Sequence, residues 1–556
     1  VTTIEFLCNG APVESDLEPG ESLLSVLRER LGITSVKDGC APQGQCGCCT
    51  VLIDGAPRVA CVTPAARVAG RSVTTIEGLD SAVRDRATDA LCATGGAQCG
   101  FCTPGIVVRC AALIAEGAAD RSHLDRSLAA HLCRCTGWQT IVEAFTAPTA
   151  GADRDLVAAA RRATLEGGVA QQVGAHVSLG AVSFADDAAP PDALVAVPLP
   201  EGSDRDFVDA AGIRFVVAES VHAARTAAGK TQGRRTTLAV SPPLPLPARP
   251  DGGVRLATSW VEPAYLESDA SWCVPGGEPA SSLANGGAFG GKSTSIVPAA
   301  ARELADRFDR PVRVLYSRED VVRFGAKRPP IAATARLEDR TIILEVVAAG
   351  ELAIAEPAHY GLAIDVARRE VAIAGPPVGS LRAPWAESAV LVEGALHAVG
   401  FDREANVHDD VAAVLLDTCV ASPDGAFAGA RVALDDQGRL SHVDVRVMAG
   451  DPLDETVLRS YCIGAAHMAL GWVLTEGLTV DRETGEIQDL TIRSFGIIRP
   501  KDMPQVDVEV IDDPRAPIAK ASDAVFAAVA AATWIALDLP ETWPALHTPT
   551  AKQVRR

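Results

Sequence analysis

Hydrophobic and polar positions alternate at the start of the chain. Ile4 and Phe6 fall on one face of residues 1–7, and Asn9-Gly10 supplies the tight turn that returns such a strand as a hairpin. The period then changes: over residues 21–31, Leu23, Leu24, Leu27 and Leu31 recur at helical spacing. Residues 51–55 read as a further strand and turn, so this opening unit is predicted to be a β-grasp. From about residue 76 helical periodicity takes over, with helices predicted over 106–115, 124–132 and 140–145, enough for a small bundle. Residues 147–160, rich in Thr, Ala, Pro, Gly and Asp, read as a linker. Beyond it strands and helices alternate, as in 213–229 where Val216-Val217-Ala218-Glu219 runs into a helix, and the whole is predicted to be a multidomain α+β chain.

Composition narrows the chemistry. A length of 556 residues, 48% of them hydrophobic, suggests roughly three or four domains. The net charge is −20 and no stripe of Lys and Arg offsets it, which disfavours nucleic acids and anionic membranes as partners and leaves small molecules and proteins. The opening Val1-Thr2-Thr3-Ile4-Glu5-Phe6 has neither a basic nor an apolar leader segment, so a cytoplasmic location is expected, with export carried by a partner as the alternative. Of 15 cysteines, twelve precede residue 136, a concentration that speaks for metal ligation in a reducing compartment rather than for disulfides. Cys40, Cys46, Cys49 and Cys61 have the shape of a plant-type 2Fe–2S loop, with glycines that let backbone N–H groups approach the cluster sulfurs. Cys49 is preferred to its neighbour Cys48 because it makes the CGxC spacing. Gln98-Cys99-Gly100-Phe101-Cys102-Thr103-Pro104-Gly105 and Cys133-Arg134-Cys135-Thr136-Gly137 bring together a second set of four thiolates, Cys99, Cys102, Cys133 and Cys135. Cys8, Cys92 and Cys110 read as small buried hydrophobes. Two clusters in one unit suggest an electron wire.

These motifs resemble the two-cluster iron–sulfur domain of the molybdenum hydroxylases, the family of xanthine dehydrogenase and aldehyde oxidoreductase. The resemblance implies a ferredoxin-like 2Fe–2S domain over 1–75 and a helical 2Fe–2S domain over 76–147. It further implies a small α+β domain over 160–250, like the family's a/b hammerhead, and a shortened molybdopterin-binding region over 251–556. One departure is the five residues between Cys40 and Cys46, where the commonest family spacing is four. In the family the helical cluster lies next to the pterin, which would place Gln98 in a hydrogen bond to that pterin with Cys135 close by. Gly180–Pro191 is similar to the entry segment of the family's molybdenum subunit.

Gly286-Gly287-Ala288-Phe289-Gly290-Gly291-Lys292 can gather main-chain N–H groups around an anion, though by itself the signal is weak and an ordinary flexible turn is the favoured reading. It closely resembles the family's GGGFGGK loop over the cofactor, which assigns Gly286, Gly287, Phe289, Gly290 and Gly291 to cofactor binding and sets Phe289 near the substrate. Gly379-Ser380-Leu381-Arg382-Ala383-Pro384 resembles the RAPG turn, with Arg382 in the cofactor environment and Trp385 where the family has glycine. The alternative for Arg382 is an ion-pairing arginine. Residues 468–476 are similar to the family's QGxGxxLxE helix, and 546–550 to its C-terminal end, from which a complete chain is expected.

Other positions depart from the family. Its KGxGE turn, which carries the glutamate base, corresponds to Lys520-Ala521-Ser522-Asp523-Ala524-Val525, leaving Asp523 as the candidate catalytic carboxylate. Met468 replaces a cofactor-binding glutamine. About twenty residues separate Glu262-Pro263 from the glycine loop, with no counterpart of the family's intervening helix and strand. Two functions are therefore expected as alternatives. One is a molybdopterin-dependent oxidoreductase that hydroxylates an N-heterocycle or aldehyde with water. Having no inserted flavin domain, it would send electrons through both clusters to a separate flavin subunit or other acceptor. The other is an electron-transfer or structural subunit with a degenerate molybdenum region that partners an intact catalytic chain; under either, a homo- or hetero-oligomer is expected.

Overall fold

A computed structural model of the chain describes residues 2–115, 120–146, 154–200, 207–229, 236–379 and 381–555. Part of the predicted linker (147–153) and Ser380 of the RAPG-like turn lie outside the described residues. The alternating start forms the hairpin Thr2–Cys8 with Ala11–Leu17, which buries Ile4 and Phe6 and joins a five-stranded sheet with Ser72–Thr74, Thr50–Ile53 and Ala56–Val59. Helices Ser81–Thr94, Thr103–Ala115, Arg121–Leu128 and Gln139–Thr146 make the bundle. Its apolar side shares one core with the sheet, in which Leu27, Val51, Leu91, Ile106 and Ile141 are buried together.

Three further sheets follow. The small one runs Ala270–Cys273, Val312–Leu315, Leu194–Pro198, Ile213–Ala218, Val208–Ala210, with helices Val221–Ala228 and Val297–Phe308 packed on it. Two of its five strands, Ala270–Cys273 and Val312–Leu315, lie beyond residue 250, the second running parallel to Leu194–Pro198. Between Glu262-Pro263 and the glycine loop the chain forms one strand, Ala270–Cys273.

The remaining sheets, one centred on Ile331–Glu338 and one on Phe427–Leu434, enclose helices Ala386–Ala398, Glu455–Leu474 and Ala521–Ala536 in the largest core. These helices are apolar on nearly every face, as buried helices are. Glu455–Leu474 is long and apolar enough to cross a membrane by length and composition, but 89% of its most apolar window is buried in the protein, which marks it as a core helix.

The linker reading is corrected over its second half, where Leu156–Gly167 is a helix. Asp155 caps it by accepting from the N–H groups of Val157 and Ala158, and Gly168 ends it at φ 73°. Its inward face is Ala159, Arg162, Ala163 and Glu166. Two of those four are charged, so hydrophobic periodicity is faint here.

Candidate cofactor site

The glycine-rich loop after Gly39 brings the first four thiols into one buried group. Cys40 lies in hydrogen-bonding contact with Cys46 and Cys61, and Cys61 also with Cys49. The Cys40 thiol is held well below the ordinary thiol range, first by Cys46 and Cys61, against burial and with help from the backbone N–H groups of Gln45 and Gln43. Cys48 sits beside Cys46, and a methyl group added at Gly39 would lie 2.9 Å from its sulfur and 3.1 Å from that of Cys46.

The second tetrad forms where helix Thr103–Ala115 starts and where the chain turns before Gln139–Thr146. Cys135 Sγ stands 3.6 Å from Cys99 Sγ, Cys102 contacts Cys133, and Thr136 Oγ1 lies 3.1 Å from Cys133 Sγ. The two loops touch directly. Leu132 N–H donates to the carbonyl of Cys46 at 2.9 Å, and Gly105 packs so closely that a methyl there would meet the Gly47 carbonyl at 2.5 Å.

Two adjoining cavities of about 70 and 60 Å³ lie beyond the second tetrad and share Gln98, Arg134, Cys135, Phe289, Arg382 and Tyr461 as walls. Gln98 Nε2 donates to Ser460 Oγ at 2.9 Å. Asn285 Nδ2 donates to the carbonyls of Gln98 (3.1 Å) and Cys99 (3.4 Å), tying the glycine loop to the cluster segment. The loop itself is tightly packed: a methyl at Gly286 would lie 3.1 Å from Cys99 Cβ, at Gly287 2.5 Å from the Gly167 carbonyl, and at Gly291 2.7 Å from the Tyr265 ring. Ala288 and Phe289 adopt φ of 47° and 54°, a strained conformation for residues with side chains.

Each arginine lining the first cavity has a carboxylate of its own. Arg134 forms a bidentate pair with Glu476 at 2.5 and 2.6 Å. Arg328 donates to Glu387 at 2.6 Å and lies over the rings of Trp472 and Phe526. Arg382 pairs with Asp523 and donates to Ser522 Oγ at 3.0 Å. Arg382 is thus ion-paired and lines the cavity wall. Asp523 reaches the cavity but spends its carboxylate on Arg382; burial raises its pKa and Arg382 opposes the rise.

Sequence reading overlooked one element of the site. Glu166 accepts from Ala521 N–H at 3.2 Å, Ser522 N–H at 3.0 Å and Ser522 Oγ at 2.5 Å, and it pairs with Arg162, so a carboxylate of this chain fills the anion position at the start of helix Ala521–Ala536. The signals available were Asp155 as a cap and Gly168 as a stop.

A family model described as "[2Fe-2S] binding domain" matches residues 75–146. The xanthine dehydrogenase iron-sulfur-binding subunit of Escherichia coli O157:H7 is 41% identical over 144 residues, covering 25% of this chain and 89% of that protein. The aldehyde oxidoreductase of Megalodesulfovibrio gigas is 46% identical over 131 residues, covering 22% of this chain and 14% of that one. Among solved structures, the aldehyde oxidoreductase of Desulfovibrio gigas aligns over 100% of this chain and 99% of its own with a TM-score of 0.70 at 15% identity, a likeness of fold.

Proposed function

The chain belongs to the molybdenum hydroxylase family, the group of xanthine dehydrogenases and aldehyde oxidoreductases, and from that premise we propose that it is a molybdopterin-dependent oxidoreductase whose two 2Fe–2S clusters carry electrons from the cavity pair to an external acceptor. Cys40, Cys46, Cys49 and Cys61 would hold one cluster and Cys99, Cys102, Cys133 and Cys135 the other. The observation that carries this reading is the direct sequence of contacts from Gln98 and Cys135 at the cavities, through the second tetrad, across the Leu132 to Cys46 hydrogen bond, to the first tetrad.

The residues at the cavity junction fit the polar edge of a pterin. Gln98 keeps its amide oxygen for a ligand, and Arg382 Nε is buried without a hydrogen-bond acceptor. When bound, the molybdenum cofactor supplies oxygen transfer from water and accepts the electron pair. The chain's part is to orient it with Gln98 and Arg382, to border it with the glycine loop and Phe289, and to exclude bulk water with Met468, Trp472 and Phe526. A substrate aldehyde or N-heterocycle and a separate flavin subunit or other electron acceptor complete the reading.

One observation favours the second reading, an electron-carrying subunit partnering an intact catalytic chain. Asp523, the carboxylate at the expected base position, is engaged by Arg382. Elemental analysis of the purified chain separates the two. Four irons with close to one molybdenum per chain supports the oxidoreductase reading; four irons without molybdenum, from cells that load other molybdenum enzymes, overturns it in favour of the carrier.

A further inference from the structure

Glu267 lies in the segment leading into strand Ala270–Cys273, and no step of the proposed electron path uses it. Its Oε2 is 2.9 Å from Lys292 Nζ, while its Oε1 is buried without a hydrogen-bond partner. The Lys292 side chain is 1% exposed and that of Glu267 14%. On one side Glu267 lines the second cofactor cavity together with Cys99 and Cys102. On the other it lines a separate cavity of about 30 Å³ whose walls include Asp38, Asp186 and Tyr316. That volume is large enough for a water, which needs on the order of 10–15 Å³ and two or more polar partners. The small cavity in turn shares Arg28, Asp38, Asp186 and Arg225 with a cleft of about 270 Å³ that is bordered by the exposed Gly20 and by Cys61 of the first tetrad. A series of cavities that share polar lining residues thus runs from the second tetrad through Glu267 to a cleft beside the first.

The charges around Glu267 are set by four elements. Lys292 approaches from the end of the glycine loop. Asp187, in the turn Ala185–Ala188, is tied to Arg28 at 2.8 Å and to Lys37. Asp269 and Tyr265 belong to Glu267's own segment, and Tyr265 donates to Asp269 at 2.7 Å. Arg318 binds the carbonyl of the adjacent Leu266 at 2.7 Å. The ionised and neutral forms of Glu267 are consequently close in free energy at neutral pH. Burial favours the neutral form, Lys292 opposes it, Asp187 and Asp269 reinforce it, and the carboxyl titrates at about 7.

We propose that Glu267 is a redox-linked proton site of the second cluster. When that cluster gains one electron, one ferric iron becoming ferrous, the Glu267 carboxylate takes one proton at Oε1, relayed from bulk solvent in the cleft through water in the adjoining cavity, so the added charge is balanced. When the electron moves to the first cluster the O–H bond breaks and the proton returns toward the cleft. An added negative charge across a shared cavity raises a carboxyl pKa, and by reciprocity protonation makes the cluster easier to reduce. The inference rests on the second tetrad holding a cluster, as proposed above, and is independent of molybdenum.

The test is a mediated redox titration of the second cluster, reduced with dithionite and followed by electron paramagnetic resonance, on the full chain at a series of pH values from the carboxyl range to the alkaline side of neutrality. In the wild type the midpoint potential should fall as pH rises through neutrality, with a slope approaching one proton per electron. Glu267→Gln, with four irons per chain, should lose that slope. Glu267→Asp should keep it and displace its pH window. A pH-independent wild-type potential, or a slope unchanged in Glu267→Gln, overturns the proposal. If Glu267→Gln does not load iron, the Asp variant decides, an undisplaced window overturning it. A wild-type chain without iron fails the cluster reading instead, which metal content reports separately.

Discussion

A methyl group added at Gly287 would stand 2.5 Å from the carbonyl oxygen of Gly167, a main-chain atom held at the end of helix Leu156–Gly167. Gly287 itself has φ −79° and ψ 5°, so its glycine is required by space and not by conformation. Gly287→Ala is therefore expected to destabilise the protein by about 1–3 kcal/mol, as overpacked sites do. Thermal unfolding checks this, with Tm falling while the iron content stays the same. His467 makes a different demand. Its Nε2 lies 2.9 Å from the Ile498 carbonyl in the core, and burial, with Arg134 adding, lowers its pKa from 6.5 to about 4. A depressed folded-state pKa means that the unfolded chain binds the proton first. The stability His467 contributes is complete above 6.5 and is lost as pH falls toward 4. His467→Gln, which keeps a donor for Ile498, should flatten the acid limb of Tm against pH. Glu267 has the opposite sign: its raised pKa costs stability as pH rises through about 7, and Glu267→Gln should lift the alkaline limb.

Helix Leu156–Gly167 has its largest effect through two side chains, Arg162 and Glu166, both with 0% side-chain exposure. Glu166→Ala would leave a buried guanidinium without its carboxylate and the first N–H groups of helix Ala521–Ala536 without their acceptor. The expected cost is about 3–5 kcal/mol, measurable by chemical denaturation, with the core around Ala521–Ala536 loosening before the cysteine domains. The same helix shows where sequence reading succeeds and where it stops. The cysteine tetrads were legible because each is built from short loops whose ligand spacing is local, and the opening hairpin because Asn9-Gly10 dictates its turn. Glu166 was legible at most as the i,i+4 partner of Arg162, because the N–H groups it accepts from lie some 355 residues further along. The small sheet was only half legible for a similar reason: Leu194–Pro198 pairs with Val312–Leu315, and a strand does not announce a parallel neighbour more than a hundred residues distant. At the cavity the glycine loop was recognised, but its glycines answer first to Cys99, Gly167 and Tyr265, contacts that spacing cannot reveal.

Across the whole molecule the cysteine domains and the core of the long helices meet at the second tetrad. Gly464 of helix Glu455–Leu474 packs so closely on the Cys135 carbonyl that a methyl there would lie at 1.9 Å, and Trp138 donates to the Ile498 carbonyl at 3.1 Å. The second tetrad is consequently an interior group: Cys102 and Cys133 are buried, and Cys99 and Cys135 face the cavities. The first tetrad is also buried, yet Cys61 borders the cleft that opens beside Gly20. Electrons leaving the second cluster for an outside acceptor therefore have their shortest described route through the first. Cys61→Ala tests this in the intact chain. The variant should retain about two irons fewer than the wild type, as a 2Fe–2S site that loses a ligand does. Its second cluster, once reduced by dithionite, should be reoxidised by ferricyanide markedly more slowly than in the wild type when followed by stopped-flow absorbance. An unchanged rate would mean that the second cluster discharges directly to solvent through the cofactor cavities, and that the order of the two clusters along the wire is not what the packing implies.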